Sequence, residues 1–239
     1  MKYHIGTSGW LYDHWRGEFY PPELPRTRWF SYYSEHFSTV ELNSSFYHLP
    51  SEKAFGTSRD KAPEGFVYAL KVSRYITHMK KLRDVDEPLE TFISRARILG
   101  DKLAPLLYQL PPGMKRNDAV LEAFLKLLPR DLQHVFEFRN ESWFDNQVYA
   151  LLRKYNAVFW GYDLPGTTTP LVATADFAYV RFHGSTGLYD SCYTDEEIES
   201  WAKKFDKLGK GLSAFHVYFN NDSHAFAIRN GRRLRELMG

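Results

Sequence analysis

The chain has one cysteine, Cys192, in 239 residues, so no disulfide can form within it and its stability must come from a packed core. A chain of this length buries enough surface to need no staples. No stretch of about 18 apolar residues is present, and no membrane-spanning helix is expected. The opening residues, MKYHIGTSGW, contain no apolar signal-peptide region. With the single cysteine, this makes a cytoplasmic location the expectation. Charge of one sign is also missing: Lys+Arg 31 against Asp+Glu 29 leaves a net charge of +2. Bulk charge therefore argues for no nucleic-acid partner, and any affinity for anions has to be local. No Ser/Gly-rich linker, charge block or low-complexity tract divides the sequence, and residues 1–239 read as one domain. No G-x-G-x-x-G follows the first apolar run, which excludes the usual dinucleotide fingerprint. HExxH, HxH and close Cys/His clusters are equally missing, so no metal site is expected and no cofactor is assigned.

What the sequence does have is a recurrent alternation of elements. Short β-rich apolar runs fall at residues 4–8, 39–43, 66–72, 106–110, 135–139, 158–161, 179–183 and 215–220. Their spacing, about 30 residues, is that of a strand–helix repeat. Helical patterns lie between them: Leu89, Phe92, Ile93 and Ala96; Val148, Leu151, Leu152 and Tyr155; Ile198, Trp201, Ala202 and Phe205. Each follows i, i+3, i+4, i+7. Thr194 and Glu197 have the spacing of a capping box at the start of the last. The link after the sixth strand carries Pro165 and Pro170 and little helical signal. Strands alternating with helices predict a parallel sheet. Eight units in about 240 residues favour a closed α/β barrel of the (β/α)8, TIM type, with an open doubly wound sheet as the alternative.

Side chains alternate across a strand. Val40 and Leu42 therefore share one face and Glu41 and Asn43 the other. The same alternation separates Phe136 and Phe138 from Glu137 and Arg139, and Val180 and Phe182 from Arg181 and His183. It separates Val217 and Phe219 from Tyr218 and Asn220, while Lys71 and Gln109 close the third and fourth strands. The apolar members belong under the helices. The polar members then point into the barrel at its carboxyl end, where barrel enzymes place their chemistry. A bland reading stays open for each of them, as a loop cap or a member of an internal ion-pair network. Burying these charges requires partners in either case.

The segments GTSGW (6–10), VELNSSFY (40–47), ALKVSRYITH (69–78), LLYQLPP (106–112), EFRNESW (137–143), YVRFHG (179–184) and VYFNN (217–221) together resemble the YecE-like family, domain of unknown function 72. The resemblance runs in order along nearly the whole chain. It implies a barrel of the triosephosphate-isomerase type and supplies no activity.

Sorting the strand-end and loop residues gives the expected site. Glu41, Glu137 and His183 are the candidate acid and base groups. Asn43, Lys71, Arg74, His78, Gln109, Arg139, Asp163, Arg181, Asn220 and Asn221 are the candidate polar contacts, and Trp10, Tyr47 and Trp143 the candidate walls, with Tyr12, Trp15, Phe46 and Tyr189 as further aromatics that could wall the site. The cation surplus points to an anionic, phosphate-bearing substrate, a nucleotide or nucleic acid included, and to a hydrolase of the phosphodiesterase type. Two other readings stay open. One is a binding module for RNA or a small anion that turns nothing over. The other is a glycosidase using Glu41 and Glu137, which needs one of the two carboxyls protonated.

Overall fold

The computed structural model describes residues 1–160 and 169–239. Eight parallel strands occupy the eight apolar runs: β1 (Lys2–Ser8), β2 (Thr39–Leu42), β3 (Val67–Lys71), β4 (Leu103–Gln109), β5 (His134–Glu137), β6 (Ala157–Trp160), β7 (Phe177–Phe182) and β8 (Ala214–Phe219). They curl into a nearly closed barrel of the TIM type. Ladder pairing runs in the order β6-β5-β4-β3-β2-β1-β8-β7. Helices follow the strands: α1 (Trp29–His36), a single turn α2 (Ser44–Tyr47), α3 (Glu52–Lys61), α4 (Asp86–Ala96), α5 (Asp118–Leu127), α6 (Asn146–Lys154), α7 (Asp195–Leu208) and α8 (Phe226–Met238). Residues 169–176, the described part of the β6–β7 link, contain no helix.

Four of the helices, α3, α5, α6 and α7, start at side-chain caps. Asp145 accepts from the Gln147 amide at 2.8 Å, and Asn117 from Val120 at 3.0 Å. Thr194 and Glu197 close the capping box on α7. Such caps satisfy amides that the first helical turn leaves unpaired. Leu89, Phe92, Ile93 and Ala96 are all buried under α4, and Ile198, Ala202 and Phe205 under α7. Leu151 and Trp201 lie at the edges of their stripes and are only partly covered.

The barrel seam lies between β6 and β7, where no ladder is formed among the described residues. A free strand edge buried there would leave amides and carbonyls unpaired. Thr174 supplies the missing partners. Its hydroxyl accepts from the Phe159 amide at 2.7 Å and donates to the Ala157 carbonyl at 2.7 Å. Thr174 is itself buried. Thr174→Val keeps the shape and removes both bonds, and each orphaned buried group costs about 1–3 kcal/mol. The variant should lose about 2–4 kcal/mol by chemical denaturation. A loss below about 0.5 kcal/mol would mean that the hydroxyl is not what closes this edge.

Inside the barrel the side chains rise in tiers. Near the amino ends, His4 and His216 stack in parallel, with centroids 4.7 Å apart. His4 Nδ1 and both ring nitrogens of His216 have no hydrogen-bond partner among the described residues. Above them Tyr179 and Tyr218 pack at 5.1 Å, and the Tyr218 hydroxyl meets Thr39 Oγ1 at 2.8 Å. On the neighbouring turn of the wall, β1 comes so close to β2 that a Cβ on Gly6 would stand 2.2 Å from the Thr39 carbonyl oxygen. Only glycine fits that position. The charged tier sits above the tyrosines.

Candidate functional site

Arg181, at the end of β7, is 1% exposed and is the centre of the charged tier. Its Nη1 donates to Glu137 Oε2 at 2.6 Å, and its Nη2 to Glu41 Oε1 at 2.9 Å. Nε lies 2.8 Å from Glu41 Oε2, an ion-pair contact whose angle is poor for a hydrogen bond. The two carboxylates come from β2 and β5, on opposite sides of the barrel, and neither is exposed. Glu137 also receives Gln109 Nε2 at 2.6 Å and Arg139 Nε at 2.8 Å. Glu41 also receives the Tyr179 hydroxyl at 2.5 Å and the hydroxyl of Ser8, to which Asn43 donates at 2.9 Å. Every carboxylate oxygen of the pair therefore has at least one donor, and Oε1 of each has two. Burial alone would raise the Glu137 carboxyl, but Arg181 and Arg139 outweigh it and hold it well below the usual glutamate range.

A cavity of ≈ 520 Å³ opens directly above this tier. Nine of the residues expected from the sequence line it: Asn43, Tyr47, Lys71, Arg74, His78, Gln109, Arg139, Arg181 and Asn220. Glu41, Glu137 and His183 are brought together with them but lie beneath the floor, fully buried. His183 faces the Asn220 amide at 3.1 Å and Arg139 Nη2 at 3.5 Å. Burial and the adjacent Arg181 keep its ring neutral, with its pKa well below 6.5. His78 sits on a π-helical turn, Tyr75–Met79, that follows β3. Its ring packs edge-on to Phe46 at 5.1 Å. Burial, then Lys71 and Arg74, lower its pKa to about 4.

Three expected residues stand elsewhere. Trp143 is fully buried and donates its indole N–H to the Met114 carbonyl at 2.7 Å, so it anchors a loop and lines no cavity. Asn221 is buried on the far side of the β8 end, donating to Ser191 O and Asn230 Oδ1 at 2.9 Å each. It holds the β7–α7 loop to α8. Trp10 packs on Phe30 at 5.4 Å. Asp163 lies outside the described residues. Phe46 and Tyr189, from the wider aromatic set, also line the cavity, and Asp222 is the lining residue that was not among the expected contacts. Asp222 directly follows the NN pair that ends β8, and its place in the chain was the signal available for it. Its carboxyl pKa is raised by burial, and His14 stands 3.6 Å away. Tyr189 reaches the cavity because the loop after β7 doubles back, Tyr189 N donating to His183 O at 2.6 Å. Gly184 allows that turn with φ +115°, where a Cβ would stand 2.1 Å from Gly187 O.

The balance of charge over the cavity is uneven. Lys71 and Arg74 make no ion pair among the described residues, and Arg139 spends only its Nε on Glu137. Asp222 is the one carboxylate among the described lining residues. No group of three or more His, Cys, Asp or Glu side chains among the described residues is placed to hold a metal ion. A larger depression of ≈ 760 Å³ lies away from the strand ends, against α8. There Arg233 is already paired with Asp195, Glu199 and Glu236. It has no buried charged tier beneath it, and the strand-end cavity is the candidate site.

Comparison with known proteins gives one family. The family model described as "Protein of unknown function DUF72" matches residues 4–239. UPF0759 protein YunF of Bacillus subtilis is 28% identical over 98% of this chain and 94% of its own length. UPF0759 protein YecE of Escherichia coli K12 is 28% identical over 47% of this chain and 42% of its own. Among solved structures, a DUF72 family protein of Thermotoga maritima superposes with a TM-score of 0.88 at 28% identity, covering 100% of this chain and 99% of its own. A DUF72 family protein of Enterococcus faecalis, at 19% identity and TM-score 0.85, shares the fold over 99% of this chain and 95% of its own. No helix among the described residues is long and apolar enough to cross a membrane.

Proposed function

The chain belongs to the DUF72 family, and from that premise and the geometry of its strand ends we propose that it is an enzyme acting on a small phosphate- or carboxylate-bearing substrate. The observation that carries this reading is the set of cations facing the cavity without carboxylate partners, Lys71 and Arg74, with the outer edge of Arg139 beside them. A guanidinium presents two parallel donors to a phosphate or carboxylate. In this reading Glu41 and Glu137 do not move protons. They are buried and fully bonded, and their role is to hold Arg181 and Arg139 in place. Asp222 faces the cavity with a raised pKa, and it is the group suited to proton transfer. A two-carboxylate glycosidase fits poorly, because both glutamates are paired with Arg181 beneath the cavity floor and neither lines the cavity.

A second reading has one specific observation behind it. Tyr47 is 67% exposed, Tyr75 41% and Tyr189 36%, on three separate connections that follow β2, β3 and β7. Exposed aromatics around a basic cleft suit stacked bases, so a nucleotide or single-stranded nucleic acid is the alternative substrate class.

Thermal shift against inorganic phosphate, phosphorylated metabolites, nucleotides, short oligonucleotides and neutral sugars separates these readings. Anions should stabilise the protein, less so at high salt. Arg74→Ala touches no internal pair, so it should leave the unliganded melting temperature unchanged. A hydrogen bond to a charged group is worth about 1.5–3 kcal/mol, so this variant should weaken phosphate binding about 10- to 150-fold. Stabilisation by neutral sugars with none by any anion would overturn the reading.

A further inference from the structure

We propose that the Lys71 side chain is a nucleophilic amine, which forms an imine with the carbonyl carbon of an anionic aldehyde or ketone bound in the strand-end cavity. The inference rests on the anion-binding reading above and names the substrate class within it. Lys71 closes β3, lines the cavity and is only partly exposed. Its Nζ stands 4.2 Å from the centroid of the Phe46 ring, a face that offers no hydrogen bond. Glu41 and Glu137 are near enough to be felt, yet neither pairs with it. Their oxygens are already taken by Arg181, Arg139, Gln109, Tyr179 and Ser8. A cation left out of a neighbouring ion-pair network in this way has no hydrogen-bonded carboxylate to hold its proton, and keeps only the Phe46 ring face and the more distant glutamates in favour of its charge.

The surroundings push in the same direction. Burial acts first on the amine, then the Arg181 charge, and together they bring its pKa down to about 8 against the pull of the two glutamates. Arg74 and His78 from the turn after β3, Arg139 from beyond the end of β5 and Asp222 from beyond the end of β8 line the same cavity as the amine. With that pKa, about a tenth of the molecules carry a neutral amine at pH 7, against about one in three thousand for an ordinary lysine. Desolvation beside other cations is a recognised way to make a lysine nucleophilic. Arg74 and Arg139 can hold the anionic group of a ligand while its carbonyl lies in the same ≈ 520 Å³.

The chemistry needs no redox partner. The Nζ lone pair bonds to the carbonyl carbon while the carbonyl oxygen gains a proton, giving a carbinolamine. The carbon–oxygen bond then breaks and water leaves with a second proton. Counting the proton that the amine gives up, amine, carbonyl and one proton become iminium and water. Asp222, with its raised pKa, can deliver the proton.

Trapping tests this on the intact protein. Glycolaldehyde phosphate with cyanoborohydride at pH 7.5 supplies a hydride that converts an iminium into a stable secondary amine, and peptide mass spectrometry locates it. Lys71 should be labelled at least tenfold faster than any other lysine, with a rate that rises around pH 8. Inorganic phosphate should slow it, and neutral glycolaldehyde should label it at least tenfold more slowly. Labelling of Lys71 no faster than the surface lysines, in a protein that phosphate still stabilises, overturns the imine and leaves the anion site standing. Fast labelling by neutral glycolaldehyde without protection by phosphate overturns the anionic substrate class and leaves the reactive amine standing. The mapping is done on the unmodified chain, so it does not depend on a variant folding. In Lys71→Arg the labelled peptide should disappear.

Discussion

Replacing Arg181 by methionine should destabilise this protein by about 3–5 kcal/mol, the largest single-residue effect expected. The reason lies less in what Arg181 contributes than in what its loss leaves behind. Glu41 and Glu137 are both unexposed, and Arg181 is the cation they share. Glu137 would keep Arg139 and Gln109, but Glu41 would keep only hydroxyl donors. An ionised carboxylate with no cation in the barrel interior must either take up a proton or open the structure to water. Denaturant midpoints at pH 7 measure the loss. The triple variant Arg181→Met, Glu41→Gln, Glu137→Gln removes all three charges together and should recover most of it. A single variant within about 1 kcal/mol of the parent would show that the tier is not bound together as described. The prediction also bears on the search for activity. Arg181→Ala is a poor probe of ligand binding, because it disturbs the fold that carries the site, whereas Arg74→Ala is a clean one.

Acid should unfold the protein well before its carboxylates are protonated, and the loss should begin near pH 6.5. Four of its nine histidines are buried: His4, His134, His183 and His216. Desolvation lowers the pKa of His4 and His134 to about 4, and that of His183 and His216 well below 6.5. The folded chain then binds these protons less readily than the unfolded chain, whose histidines titrate near 6.5. Stability is fully present above that pH. It falls as the pH drops towards 4, by about 1.4 kcal/mol per unit for each such ring. By pH 5 the four together cost about 8 kcal/mol, comparable with the whole stability of many domains. Glu137 acts in the same direction at lower pH. Its folded pKa is depressed, so its contribution is present above about pH 4.5 and is lost below it. Denaturant unfolding at pH 7.5, 6.5, 5.5 and 5.0 should show this slope. His216→Phe removes a ring with two unpartnered nitrogens and should flatten it by about one proton's worth. A stability that is level from pH 7.5 to 5 would contradict the neutral assignment of the buried rings.

These two sensitivities share an origin with the candidate site. A tier of fixed ion pairs holds the guanidinium groups in one geometry, which is what preorganised recognition of an anion requires. The same burial that drains charge from the histidines leaves Lys71 with a loosely held proton.

Much of this architecture was legible in the residues. The eight strands could be placed because parallel strands covered on both faces read as compact apolar runs, and because helical stripes such as Leu89, Phe92, Ile93 and Ala96 repeat between them. Alternation then put Glu41, Lys71, Gln109, Glu137, Arg139 and Arg181 at one end of one barrel. The period of two is a local property, and it survives any detail of packing. Tertiary structure alone decided who pairs with whom. Arg181 takes both glutamates because β7 stands opposite the gap between β2 and β5, a distance that no spacing along the chain encodes. That choice buries the expected acid and base groups beneath the cavity and leaves Lys71 and Arg74 lining it. Trp143 offers the same aromatic surface in the sequence as Tyr47, yet one is buried over Met114 and the other stands in solvent, because loop paths set which ring is covered. Thr174 reads as an ordinary loop residue until the seam between β6 and β7 brings two unpaired backbone groups to its hydroxyl. Side-chain type and strand phase are written locally, whereas partnership and exposure depend on closing the barrel, and for this protein the chemistry of the site is set by the second.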